Sequence, residues 1–190
     1  MLMVKKTLVV ILFIFASLQV QAQFIKEKAI DVSIGSGLSS PYGEYDIMGS
    51  GFYTQGEFVL SLNNWIDIRP YAGLILTKPG GDDTENKEAG YKSTANAFLF
   101  GGKTRLTIPI PWVAPYFEIG VGASIGSFET FTPDTDLEES GFIYHTPISL
   151  GLELGPMHNF NLEFTYYYHD SVQQTAGAVA FGVSIPVGND

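Results

Sequence analysis

From Pro115 to Gly126 the chain alternates between two kinds of residue. Phe117, Ile119, Val121, Ala123 and Ile125 occupy one parity, and Tyr116, Glu118, Gly120, Gly122, Ser124 and Gly126 the other. Successive side chains of an extended strand point to opposite faces, so this segment reads as a strand with one aliphatic side and one side of small and polar groups. The same period recurs and predicts eight strands, near 29–39, 51–62, 65–77, 93–107, 113–128, 141–154, 160–169 and 176–187. Phe58, Leu60 and Leu62 carry the apolar face of the second strand, and Ile148, Leu150, Leu152 and Leu154 that of the sixth. No later segment keeps a helical i, i+3, i+4 pattern over several turns.

The connections alternate in length. Leu62–Trp65, Ile108–Trp112 and Gly155–Asn159 are short, whereas 40–50, 78–92, 129–140 and 170–175 are mostly longer and polar. In an up-and-down meander alternate connections lie at the same end, which places the short turns on one rim and the long loops on the other. The strands are long enough to supply the ~9–11 tilted residues that cross a bilayer.

Two closed architectures suit such strands: a soluble barrel with its apolar face inward, as in a lipocalin-like carrier, or a membrane barrel with that face outward. The polar face decides between them. A solvated face would be rich in Lys, Glu and Thr, but here it is mainly Gly, Ser, Ala and Tyr, as suits the crowded lumen of a narrow barrel. The expected fold is an all-β, eight-stranded antiparallel up-and-down transmembrane barrel with its apolar face outward. Strand parity puts Asp31, Glu57, Asp67, Glu118, Glu153 and Glu163 on the lumen face with Arg69, Lys103 and Arg105. Charges away from water persist when paired and hydrogen-bonded, so a lumen charge network is expected, centred on Glu57, Arg69, Lys103, Arg105, Glu118, Glu153 and Glu163.

Aromatic residues agree with a membrane barrel. Trp65 and Trp112 sit beside the short turns, and Phe52, Phe142, Tyr144, Tyr166 and Tyr168 toward the long loops, as two interfacial belts would require. Pro70, Pro115, Pro147 and Pro186 fall inside predicted strands and each removes a ladder N–H, so bulges or strand ends are expected there.

The N-terminus is an address. Lys5 and Lys6 precede the apolar run Leu8–Phe15, and Val20-x-Ala22 is followed by Gln23, the pattern of a secretory signal peptide over 1–22 cleaved between Ala22 and Gln23. Residues 23–190 then form the barrel domain. The chain has no Cys, which excludes disulfides, thiolate catalysis, zinc–thiolate sites and a lipidated N-terminal Cys. A net charge of -10 argues against nucleic acid, and 16% charged residues argue against a coiled coil or an acidic disordered chain.

With these strands, turns and segments such as Arg69-Pro-Tyr-Ala-Gly73 and Ala114-Pro-Tyr-Phe-Glu-Ile-Gly-Val-Gly-Ala123, the chain resembles the small outer-membrane β-barrel domain family of OmpA and OmpX type. The resemblance covers 29–187. It implies residence in a Gram-negative outer membrane, contact with outer-membrane lipid and lipopolysaccharide, and insertion by the barrel-assembly machinery, which reads the last strand. That strand alternates through Val179, Phe181, Val183, Ile185 and Val187 but ends in Gly188-Asn-Asp190, where the family usually has an aromatic residue.

Signals of chemistry are sparse. His169-Asp170-Ser171 looks like part of the site of outer-membrane lipid A deacylases, with a His base and a Ser nucleophile, but 172–189 holds no carboxylate to orient the His, and Glu163 would need a different geometry. His145 and His158 have no partner at ligand spacing. Acidic clusters mark the loops: Glu44 and Asp46; Asp82, Asp83, Glu85 and Glu88; Glu129, Asp134, Asp136, Glu138 and Glu139. Such oxygens could bridge to lipid phosphates through Ca²⁺ or Mg²⁺, yet no loop has an ordered calcium motif. Lys78, Lys87 and Lys92 near the same rim could equally meet lipid phosphates. No catalytic residue, cofactor or bound metal is expected. The leading reading is a non-enzymatic outer-membrane protein with a structural or surface-recognition role, an extracellular ligand meeting loops 40–50, 78–92 and 129–140. The alternatives are a lipid A deacylase-like enzyme and a soluble lipocalin-like carrier of an apolar ligand.

Overall fold

The computed structural model describes residues 25–43, 46–80 and 89–188. The proposed cleavage site at Ala22 and Gln23 and the acidic residues Glu44, Asp82, Asp83, Glu85 and Glu88 lie outside the described residues. Eight strands run β1 (Glu27–Pro41), β2 (Gly49–Asn63), β3 (Ile66–Pro79), β4 (Lys92–Thr107), β5 (Trp112–Phe131), β6 (Asp136–Gly155), β7 (Phe160–His169) and β8 (Gln174–Pro186). Each pairs antiparallel with its sequence neighbour, and β1 pairs with β8 to close the barrel. Closure leaves no continuous free edge, so strands so apolar on one face escape edge-to-edge association.

The alternation decides what each face meets. Ile30, Val32 and Ile34 of β1 point outward and are exposed, as are Phe58, Leu74, Phe98, Ile119, Leu150, Leu162 and Phe181. Asp31 and Ser33, between them, are buried in the lumen. Trp65 and Trp112 are exposed at the short-turn end, and Phe52, Phe142, Tyr144, Tyr166 and Tyr168 toward the other. The interior combines buried charged and polar side chains with a buried apolar cluster that includes Ile75, Leu99, Phe128 and Ile143. Charges such as Arg69, Lys103 and Glu118 within it do not suit a cavity for an apolar ligand.

Local chemistry closes the short turns. Asn63 Oδ1 accepts from the backbone N–H of Trp65 and of Ile66, both at 2.9 Å, which holds the β2–β3 reversal. At the β6–β7 turn Gly155 takes φ +95°, a conformation that favours glycine.

Two expectations need correction. The stretch 129–140 is not one long loop: β5 continues to Phe131 and β6 begins at Asp136, placing Glu129, Asp136, Glu138 and Glu139 on strands. Polar residues occupy both parities there, which hid the strand from its hydrophobic pattern. Bulges are also absent at Pro70 and Pro147. Pairs opposite Pro70 on β2 and opposite Pro147 on β5 are missing, but the flanking pairs keep the same register, and the register shift among the described ladders falls at Ser61–Asn63. Each proline loses one donor while the opposite neighbour, Gly102 or Tyr167, stays in register. Pro186 is the last residue of β8, as a strand end requires.

Candidate functional site

The lumen holds two clusters, one above the other. Toward the short turns, β1, β2, β3, β4, β5, β6 and β7 each contribute an inward ionisable residue at a similar depth. Register sets which residues stand opposite one another: Arg105 and Glu118 across β4–β5, Asp67 and Arg105, and Arg69 and Lys103, across β3–β4, and Asp31 and Glu57 across β1–β2.

Arg69 is the hub on one side. Its Nη1 pairs with Asp31 and lies 2.9 Å from Glu57 Oε2, while its Nη2 reaches Asp67 at 3.3 Å and Glu153 at 3.7 Å. Arg105 is the hub on the other. Its Nε contacts Glu118 Oε1 at 2.5 Å, its Nη1 contacts Glu153 Oε1 at 2.8 Å, and its guanidinium carbon sits 3.6 Å over the Tyr116 ring. Guanidinium forks and aromatic stacking are what arginine offers that lysine does not. Gly151 makes room, because a Cβ there would overlap the Tyr116 ring.

Between the two arginines lies Lys103. Its Nζ is 2.5 Å from Glu57, 2.6 Å from Glu118 and 3.8 Å from Glu163. Those three glutamates bring carboxylate oxygens within 4.8 Å of one another, a spacing that could hold a metal ion. The ammonium occupies the middle of that set, so the cation required by three close carboxylates is supplied by the chain itself. Neutral donors complete the cluster: Gln55 Nε2 donates to Glu57 at 2.7 Å, Thr165 to Glu163 at 2.6 Å and Tyr116 to Glu163 at 3.2 Å. All seven residues of the network read from the sequence therefore meet, and Asp31 and Asp67 join them. A vestibule of about 560 Å³ opens from the short-turn end and stops at Asp67, Arg69 and Glu153.

The second cluster was missed from sequence. Ser124 of β5 lies 2.7 Å from His145 Nδ1 and 2.8 Å from His169 Nε2, and Tyr71 Oη lies 2.5 Å from His145 Nε2. All four side chains are buried. Tyr53, Tyr167 and Gln55 link this layer toward the charges, through Tyr53–Tyr167 at 2.9 Å and Tyr167–Gln55 at 2.6 Å. Inward parity was the available signal, since Tyr71, Ser124, His145 and His169 all fall on lumen positions, but their proximity comes from strands far apart in sequence.

The deacylase-like pairing does not form. His169 turns into the lumen toward Ser124, whereas Ser171 is exposed on a short 3-10 turn, Asp170–Val172, and Glu163 is engaged by Thr165 and Tyr116. His158 is in the β6–β7 turn, with Nε2 3.2 Å from the Ile110 carbonyl oxygen.

No protein-family model and no curated protein sequence matches the chain. Solved structures do. Neisserial surface protein A (NspA) superposes with a TM-score of 0.56 at 11% identity, over 84% of this chain and 97% of that one. OprG from Pseudomonas aeruginosa gives 0.49 at 10% identity, over 86% and 98%, and Ail of Yersinia pestis gives 0.47 at 18%, over 85% and 99%. The likeness to NspA is one of fold: the chain is built as the small eight-stranded outer-membrane barrels are.

Proposed function

We propose that the chain is an outer-membrane barrel protein that catalyses no reaction and acts through envelope structure and through recognition at its acidic loop-end surface. The observation that carries the membrane half is the division of faces: aliphatic side chains exposed outward between two aromatic belts, and charged side chains buried inward. Export by a cleaved signal peptide, insertion by the barrel-assembly machinery, and contact with lipid and lipopolysaccharide belong to the same proposal. What supports a role without catalysis is that each lumen Ser and His described above is buried and bonded to a neighbour. The charged layer across the lumen argues equally against a diffusive pore.

The recognition half rests on the β5–β6 hairpin. Glu129 and Glu138 stand directly opposite each other, Glu139 and Asp136 flank them, and Lys92 meets Glu129 at 2.6 Å. Like charges directly opposite destabilise a sheet; Lys92 offsets Glu129, and the acidity left over on the hairpin suits a cationic or cation-bridged ligand.

The test is fractionation followed by electrophoresis with and without boiling. Outer-membrane recovery with a heat-dependent change in migration is the expected result. Soluble periplasmic recovery without that change overturns the reading.

A further inference from the structure

A notch interrupts the barrel wall at the loop end of β6. The last β6–β7 pair there is Thr146 with Tyr168; His145 stands level with His169 without pairing to it, and Asp136–Tyr144 runs past the end of β7. The β5–β6 ladder also lapses beside it, between the pairs Ile119–Ile148 and Gly122–His145, around Pro147. A cavity of about 480 Å³ occupies this place. Its lining includes neighbouring residues of opposite parity, Val121 with Gly122 and Tyr144 with His145, so the open cavity lies where the β5–β6 ladder lapses. Val121 and Tyr144, 75% and 78% exposed, are the most exposed large apolar side chains on any described strand. On the loop side the cavity is lined by Glu139 and Asp170.

We propose that this notch binds an amphiphile with a primary amine head group, its chain lying along Val121 and Tyr144 and its ammonium between Asp170 and Glu139. The inference rests on the membrane reading above, and it assigns that barrel a lateral ligand site. Beside an aromatic belt, acyl chains give way to head groups, so a gap here meets the polar end of an amphiphile. The carboxylates set its sign. No Lys or Arg lines the cavity among the described residues, and both ring nitrogens of His145 are engaged, by Tyr71 and by Ser124. A carboxylate or phosphate head would face like charge, and an ammonium opposite charge.

The test uses the full chain in phospholipid nanodiscs with a photoactivatable long-chain alkylamine, and the matching alkyl carboxylate as control, mapping adducts by mass spectrometry. Amine adducts concentrated on 139–146 and 168–171 and displaced by plain dodecylamine are the expected outcome. Glu139→Gln with Asp170→Asn lowers that labelling about five-fold, the scale of a charge contact at a membrane surface. Val121→Trp, which fills the groove, removes it. Adducts spread evenly around the barrel, equal labelling by the carboxylate probe, or an unchanged double variant overturns the proposal. Heat-dependent migration of every variant separates the two readings: a heat-modifiable barrel without focused labelling rejects the notch alone, and its absence in the unmodified chain rejects the membrane barrel as well.

Discussion

Arg105 and Glu118 face each other directly across β4–β5 and close a 2.5 Å contact through Nε and Oε1, both side chains almost wholly buried. Neither is replaceable alone. Glu118 also stands 2.6 Å from Lys103, so Glu118→Gln leaves two cations short of an anion. Breaking a buried pair costs about 3–5 kcal/mol because the remaining charge stays desolvated. Thermal unfolding in detergent is expected to fall clearly for Glu118→Gln and for Arg105→Met, and by less than the sum of the two in the double variant. Additive losses would contradict direct coupling.

Lys103 makes a sharper prediction. Removing its ammonium in Lys103→Met leaves Glu57, Glu118 and Glu163 as a three-carboxylate cluster with ligand atoms within 4.8 Å. Hard divalent cations take oxygen ligands of this kind. The variant should unfold at lower temperature in chelator and regain stability as Ca²⁺ or Mg²⁺ is added, while the unmodified chain responds little. Equal responses in both would show that the ammonium does not hold the cation position.

Gly122 is tied to the upper cluster. A Cβ there would overlap Tyr71 Oη and lie 2.5 Å from His145 Nε2, the two atoms that contact each other. Gly122→Ala is expected to cost about 1–3 kcal/mol through overpacking and loss of that contact. Gly102 is the control, since a Cβ there meets nothing within 4 Å and Gly102→Ala should leave unfolding nearly unchanged. A similar loss at both positions would point to strand flexibility, not to the Tyr71–His145 contact.

The fold and the sidedness of the barrel were legible because one parity of each strand is aliphatic and the other small or polar, and parity alone sorted Glu57, Arg69, Lys103 and Arg105 into the lumen. Partner choice was not. That Arg105 meets Glu118, or that Ser124 sits between His145 and His169, depends on the stagger of strands around a closed sheet, which no local pattern encodes. His169 and Ser171 share a parity in extended chain, but the strand ends at His169 and the 3-10 turn swings Ser171 away. The loop-end acids misled for another reason: where a strand is polar on both faces, as at Glu129 or Glu138, the alternation that announces strands is gone.

That same hairpin supplies the last prediction. Glu129 and Glu138 are cross-strand partners, and Lys92 neutralises Glu129 from β4 at 2.6 Å, leaving Glu138 facing the pair from the other side. Directly opposed like charges weaken a sheet, and cross-strand pairs are each worth roughly 0.2–1 kcal/mol. Glu138→Gln should therefore slow backbone amide exchange across 127–140, an effect that fades at high salt as the repulsion is screened. Lys92→Gln should do the reverse and speed exchange over the same residues. If Glu138→Gln speeds exchange instead, the glutamate is holding the hairpin together, and its acidity is no longer available as a surface feature unrelated to the fold.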